Sequence, residues 1–140
     1  MKTIFALCLV LAFVYAQSTF TPEWKSCEGS YGWLTQNVTL DAAPIAGKNS
    51  TFTFCGQNRN FYVIAFEEVH ATSGTVLDLT FPVNASIAWK NTGCYDVNFQ
   101  IPQGATKDLT IHFSATALAL HQQGCVDVTL NLASTKFLAF

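Results

Sequence analysis

The residues that could carry nucleophilic chemistry in this chain are its five cysteines and its three histidines, His70, His112 and His121. A cysteine or serine nucleophile needs a base within hydrogen-bond reach, and no motif links any of these histidines to such a partner. The chain also contains no Gly-x-Ser-x-Gly, no His-Glu-x-x-His and no glycine-rich phosphate loop. The sequence therefore predicts a protein that is not an enzyme and that uses no cofactor.

Four of the cysteines follow the apolar start of the chain, and their number and context favour disulfide bonds. An even number of cysteines in a small exported chain is typical of a disulfide framework. No two of them sit at zinc-finger spacing and no histidine lies beside them, so no metal site is predicted. Three pairings are possible, and spacing alone does not choose among them. The four residues are Cys27, Cys55, Cys94 and Cys125.

The first residues have the layout of a secretory signal peptide. Lys2 precedes an apolar run over residues 4–13, and small or medium residues lead to Ala16. This run is too short to span a bilayer. We predict cleavage after Ala16 and one domain over residues 17–140, secreted or in the endolysosomal lumen.

Charge and glycosylation motifs agree with an exported chain. The net charge is −2 and no basic cluster exists, so nucleic acid is not an expected partner. Three Asn-x-Ser/Thr motifs are candidate glycosylation sites on the surface. They begin at Asn37, Asn49 and Asn84.

Strand signals repeat along the chain, whereas helix signals are nearly absent. The segment 125–132, for example, alternates Val126, Val128 and Leu130 with polar neighbours. Pro82 interrupts one alternating segment, which indicates an edge strand or a strand break there, with 84–90 as a separate strand. Turn residues separate the segments, a pattern that favours an antiparallel sandwich or barrel. The other predicted strands cover residues 33–40, 49–55, 61–69, 75–81, 95–101 and 109–119.

The aromatic content is high for a chain of this size. Ten of its 12 phenylalanines follow residue 16, and many sit at inward strand positions. Each aromatic ring buries a large area when it is enclosed. Two interpretations remain open: a solidly filled core, or an apolar cavity between two sheets that is open at one end and holds a lipid tail.

Three stretches of the sequence resemble the ML lipid-recognition family, which includes sterol carriers, the ganglioside activator and phosphatidylglycerol/phosphatidylinositol transfer proteins. Residues 24–27, Trp-Lys-Ser-Cys, resemble the start of its mature domain, and residues 38–52 resemble its first hairpin with a Pro-x-x-Gly turn. Residues 124–130, Gly-Cys-Val-Asp-Val-Thr-Leu, resemble its terminal strand. Family members commonly have six cysteines and a Cys-Pro segment, whereas Tyr95 follows Cys94 here.

This resemblance implies a fold, a disulfide pairing and a ligand. The fold is an all-β, immunoglobulin-like antiparallel β-sandwich of about seven strands, and the pairing is Cys27–Cys125, which leaves Cys55–Cys94. The ligand is a lipid or sterol held between the sheets, with transient contact to a membrane surface. The predicted apolar wall consists of Phe52, Phe54, Val63, Leu77, Leu79, Phe81, Trp89, Phe99, Ile101, Ile111, Phe113, Val128 and Leu130.

Two other functions fit the same sequence. A secreted carbohydrate-binding or adhesive module without a lipid cavity would stack sugar rings on exposed Tyr31, Trp33, Trp89 or Tyr95. A structural component with a solid core would form a large assembly and bind no ligand.

Overall fold

The structure is a computed structural model that describes residues 19–29, 31–104, 108–117 and 121–132. The predicted signal peptide, its cleavage site and the carboxyl-terminal segment 133–140 lie outside the described residues, as does the side chain of His121. In the described ranges no helix is long and apolar enough to cross a bilayer.

The regular elements in these ranges are eight strands. They form two antiparallel sheets, one of five strands in the order β1-β8-β7-β4-β5 and one of three strands in the order β2-β3-β6. The all-β sandwich with two disulfides that the sequence predicts is confirmed. The strands are β1 (Glu23–Ser26), β2 (Trp33–Leu40), β3 (Asn49–Asn58), β4 (Ile64–Ser73), β5 (Leu77–Ile87), β6 (Thr92–Gln100), β7 (Asp108–Ala117) and β8 (His121–Asn131).

Alternation of apolar and polar residues positions the core between the two sheets. On β3, Phe52 and Phe54 are fully buried, whereas Thr51, Thr53 and Cys55 lie on the outer face. Successive side chains of a strand point to opposite faces, so one face of each sheet supplies the core. The core is therefore a single layer of side chains contributed by both sheets.

The two disulfides join Cys27 to Cys125 and Cys55 to Cys94. The first joins Cys27, directly after β1, to Cys125 in β8, and the two cysteines are 98 positions apart in the sequence. The second lies on the outer face of the three-stranded sheet, where its two cysteines are direct register partners on β3 and β6. Both pairings implied by the family resemblance are confirmed.

The structure corrects the predicted set of strands in three respects. The strand predicted over 61–69 begins only at Ile64, because the chain turns through residues 59–63 first. The segment 84–90 is not a separate strand, since β5 continues through Pro82 to Ile87. Pro82 is tolerated because β5 is an edge strand and Pro82 pairs with Glu68 beside a bulge in β4. The short strand β1 was not predicted.

Candidate functional site

Four phenylalanine rings fill the centre of the sandwich. Phe52 stacks on Phe99 with ring centroids 4.9 Å apart, and Phe54 meets Phe113 edge to face at the same separation. Phe113 also contacts Phe52 across the sheets at 5.3 Å. Offset and edge-to-face contacts at such distances are the favoured arrangements of aromatic pairs. We call these four residues the core aromatic cluster.

A second aromatic group continues the core aromatic cluster along the sandwich. Trp33 meets Phe66 edge to face at 5.3 Å, and Tyr95 lies 5.0 Å from Phe66 and 5.2 Å from Phe54. The Trp33 indole donates from Nε1 to Thr35 Oγ1 at 3.0 Å, so its polar atom is satisfied inside the core. Burial raises the pKa of the Tyr95 phenol, which keeps that group neutral.

Nine of the 13 predicted wall residues are buried in the core. These nine inward positions follow from the strand alternation, and the structure places them as predicted. They are Phe52, Phe54, Leu77, Phe99, Ile101, Ile111, Phe113, Val128 and Leu130.

Two predicted wall residues lie outside the sandwich, and their inward placement was wrong. Val63 is 54% exposed in the loop between β3 and β4, and Trp89 is 47% exposed in the turn after β5. Both were assigned to strands by their apolar character. Both lie beyond a strand end, where no opposing sheet covers them.

The remaining two, Leu79 and Phe81, lie at an open edge of the sandwich. They share the inward face of β5 with Leu77, yet Leu79 is 44% exposed and Phe81 is only half-buried. They are less covered because β5 is the edge strand of its sheet. Phe81 contacts Phe99 on β6 with ring centroids 5.3 Å apart, so this pair closes the edge by side chains alone.

A cleft of about 310 Å³ lies along the same edge, between β5 and β6. These two strands belong to different sheets and are not hydrogen-bonded neighbours. Tyr95, which belongs to the second aromatic group, forms part of the wall of this open cleft. It is lined by Val83, Asn84, Ala85, Cys94, Tyr95 and Asp96.

Two of the four aromatic residues expected to stack on sugar rings are not at the surface. Trp33 and Tyr95 are buried, so neither can stack on a polysaccharide. Tyr31 is half-buried, and Trp89 alone of the four is exposed. The alternative function therefore loses two of its four proposed platform residues.

Sequence reasoning missed a cluster of Cys27, Cys125, His112 and Asp127. His112 Nδ1 lies 2.8 Å from Asp127 Oδ1, and its Nε2 lies 3.4 Å from Cys125 Sγ. A ring nitrogen of His112 and the two cysteine sulfurs all lie within 4.8 Å of one another. Both sulfurs are bonded to each other, so the cluster provides neither a thiolate nucleophile nor thiolate metal ligands. Only the β7–β8 register, which pairs His112 with Asp127, could have revealed it.

Asn58 is a fully buried polar residue at the end of β3, although its place near a turn and its polar side chain favoured a solvent-facing position. Its Nδ2 donates to the carbonyl oxygens of Tyr62 and Ile87, both at 2.8 Å. Its Oδ1 accepts from the backbone N–H of Asn60 at 2.9 Å. Asn58 thus connects the β3–β4 loop to the β5–β6 turn.

No protein-family model matches the chain, and no curated protein matches it. Among solved structures it is similar to a Niemann-Pick type C2 protein from the Japanese carpenter ant, with a TM-score of 0.53 and 10% sequence identity. The match covers 78% of this chain and 98% of the ant protein. At this identity the likeness shows a shared fold, and that fold agrees with the ML-like β-sandwich implied by the sequence resemblance.

Proposed function

We propose that this protein is an exported carrier that binds a lipid or sterol between its two sheets and takes part in lipid transfer. The fold shared with the Niemann-Pick type C2 protein supports this proposal. The observation that carries it is the open edge between β5 and β6, where Tyr95, part of a core built almost entirely of apolar side chains, forms one wall of a surface cleft.

Ligand entry would proceed by separation of the β5 and β6 edges. No ladder hydrogen bonds join these strands, so parting them breaks side-chain contacts, chiefly that of Phe81 with Phe99. A hydrocarbon chain that entered there would meet Tyr95 and then the core aromatic cluster. Burying each methylene contributes about 0.8 kcal/mol, and the sum of these gains must exceed the cost of displacing the rings.

The interior offers a lipid little besides apolar contact. The rings of the core aromatic cluster touch one another, so the bound state requires these side chains to move apart rather than a ligand to fill a preformed void. Eleven of the predicted wall residues, all except Val63 and Trp89, stay the proposed ligand contacts. Selectivity would then depend on the length and shape of the apolar part of the ligand.

Export and glycosylation complete the proposal. Two disulfides suit an oxidising compartment, either outside the cell or in the endolysosomal lumen. Asn37, Asn49 and Asn84 are all exposed, as acceptor sites for glycans must be. Nothing in the proposal requires catalysis: apolar burial supplies affinity, and transient contact with a membrane allows release.

The direct test is extraction of the purified protein followed by lipid mass spectrometry, together with titration of a fluorescent sterol and a fluorescent fatty acid. We expect a co-purifying lipid or saturable probe binding. Ala85→Arg places a charged side chain in the cleft and should abolish probe binding. Ala43→Arg, on an exposed loop outside the residues that line the cleft, is the control and should bind normally. A protein that contains no lipid and binds neither probe would refute the carrier function.

A further inference from the structure

Four of the seven large exposed apolar side chains among the described residues gather at one end of the sandwich. Phe61 is 87% exposed and Tyr62 60%, and both precede Val63 in the β3–β4 loop. Trp89, in the β5–β6 turn, lies beside them with its ring centroid 6.2 Å from that of Phe61. We call Phe61, Tyr62, Val63 and Trp89 the aromatic tip. Contiguous exposed apolar surface of this kind marks an interaction site.

The aromatic tip is preorganised by buried hydrogen bonds. The Asn58 side chain donates to the carbonyl of Tyr62 in the β3–β4 loop and to that of Ile87 at the end of β5. Its backbone N–H donates to the carbonyl of Asn91 in the β5–β6 turn at 3.1 Å. Asn60 donates to Gln123 Oε1 at 2.9 Å, which anchors the β3–β4 loop to β8. The rings are therefore presented to solvent by a fixed framework, which lowers the entropy lost when they contact a partner.

Positive charge borders the aromatic tip. Lys90 Nζ lies 4.7 Å from the centroid of the Trp89 ring, and Arg59 immediately precedes the exposed loop. Residues 56–66 and 83–95 contain these two cations and no acidic residue, although the whole chain has a net charge of −2. These two segments thus combine apolar rings with two cations, and Arg59 also donates from Nη2 to the Tyr31 carbonyl at 2.7 Å.

We propose that the aromatic tip is the docking surface of this protein on anionic lipid bilayers. Trp and Tyr favour the headgroup level of a bilayer, where their rings are apolar and their polar atoms stay hydrated. Phe61 and Val63 extend the apolar surface that can enter the acyl boundary, and Arg59 and Lys90 match anionic headgroups. The role of docking in delivering a carried lipid rests on the proposed function, whereas docking itself needs no bound ligand.

Sugar binding fits the same surface less well. Phe61 and Val63 have no group that can hydrogen-bond a hydroxyl, and the amides of Asn58 and Asn60 beside them already donate within the protein. Phosphate and carboxylate headgroups, by contrast, complement both bordering cations.

The test is flotation of the full mature protein, with its disulfides intact, on two kinds of vesicle. One is phosphatidylcholine alone, and the other contains about 30 mol% phosphatidylserine, which gives a strongly anionic surface. We expect binding to the anionic vesicles and at least about tenfold weaker binding to the neutral ones. Added salt should reduce the binding, because it screens headgroup charge.

Val63→Ser and Val76→Ser form a matched pair of variants. The two valines are 54% and 49% exposed, but they lie at opposite ends of β4, about 30 Å apart at the rise of a strand. Val63→Ser should weaken vesicle binding by about fivefold or more, whereas Val76→Ser should stay within about twofold of the parent. Phe61→Ser should act in the same direction and more strongly, and Lys90→Gln should reduce the preference for anionic vesicles.

The inference is overturned if neither vesicle binds, or if Val76→Ser weakens binding as much as Val63→Ser does. It is also overturned if Phe61→Ser instead abolishes adsorption to a polysaccharide or dissociates an oligomer in sedimentation, without changing flotation. Unchanged thermal unfolding of each variant shows that loss of binding is not loss of fold. Vesicle binding by a protein that binds no lipid probe would refute the carrier function and leave the docking surface in place. Probe binding by a protein that binds no vesicle would refute the docking surface and leave the carrier function in place.

Discussion

The core aromatic cluster and the aromatic tip use the same residue types in opposite environments. Phe113 is buried between the sheets among three other phenylalanine rings, whereas Phe61 is 87% exposed and touches only Trp89 among the aromatic rings described. The first ring contributes its apolar area to folding, and the second keeps that area available for a partner. The residue type therefore does not tell whether a ring serves folding or binding in this protein. Its position relative to the two covering sheets distinguishes the two roles.

The largest expected effect contrasts one phenylalanine from each region. Phe113→Ala should lower the free energy of unfolding by about 3–5 kcal/mol, because it removes a buried ring and leaves a cavity. Phe61→Ala should change it by less than about 0.5 kcal/mol. Denaturant unfolding of the two variants measures both values. Equal losses would mean that the two regions do not differ as described.

Asn58→Ala sharpens the comparison, because Asn58 is buried in the scaffold and holds the aromatic tip. The substitution leaves the Tyr62 and Ile87 carbonyls without their donor. We expect a loss of about 2–3 kcal/mol in unfolding free energy and weaker vesicle binding. Asn91→Ala is the control, since Asn91 is exposed and the bonds described for it are made by its backbone. A neutral Asn58→Ala would show that the two loops are held by other contacts.

A smaller effect is expected where Trp33 packs on glycine. A Cβ at Gly124 would lie 2.7 Å from Trp33 Cδ1, so Gly124→Ala forces the indole to shift. Overpacking of this kind costs about 1–3 kcal/mol. Gly104→Ala, where a Cβ meets no atom of the described residues within 4 Å, should be close to neutral. Thermal unfolding compares the two variants, and a neutral Gly124→Ala would mean that Trp33 is not tightly held.

The smallest stability effects are expected at the aromatic tip itself. Val63→Ser and Phe61→Ser remove exposed apolar atoms, so both should unfold within about 0.5 kcal/mol of the parent. The same two variants should nevertheless lose most vesicle binding. A marked fall in stability for either one would assign the tip to the core and would break the contrast between the two regions.

The strand pattern made much of the fold predictable. Alternation placed Phe52 and Phe54 inward, and it located β2 at the residues where the structure has it. Such a pattern is local, because side chains of one strand alternate between two faces whatever the strand pairs with. The prediction failed at Val63 and Trp89, whose apolar character is the same in a covered strand and in an exposed loop. No local signal distinguishes these cases.

By itself, the sequence determined that the chain is rich in short strands, that four cysteines follow residue 16, and which faces of most strands are apolar. Only the tertiary structure decided which strands are edges, that β5 and β6 face each other across an opening, and that two distant loops meet around Asn58. Strand pairing also set Cys55 opposite Cys94 and His112 opposite Asp127. The reason is physical: alternation is a property of consecutive residues, whereas coverage, register and clefts depend on which segments, far apart in the chain, pack together.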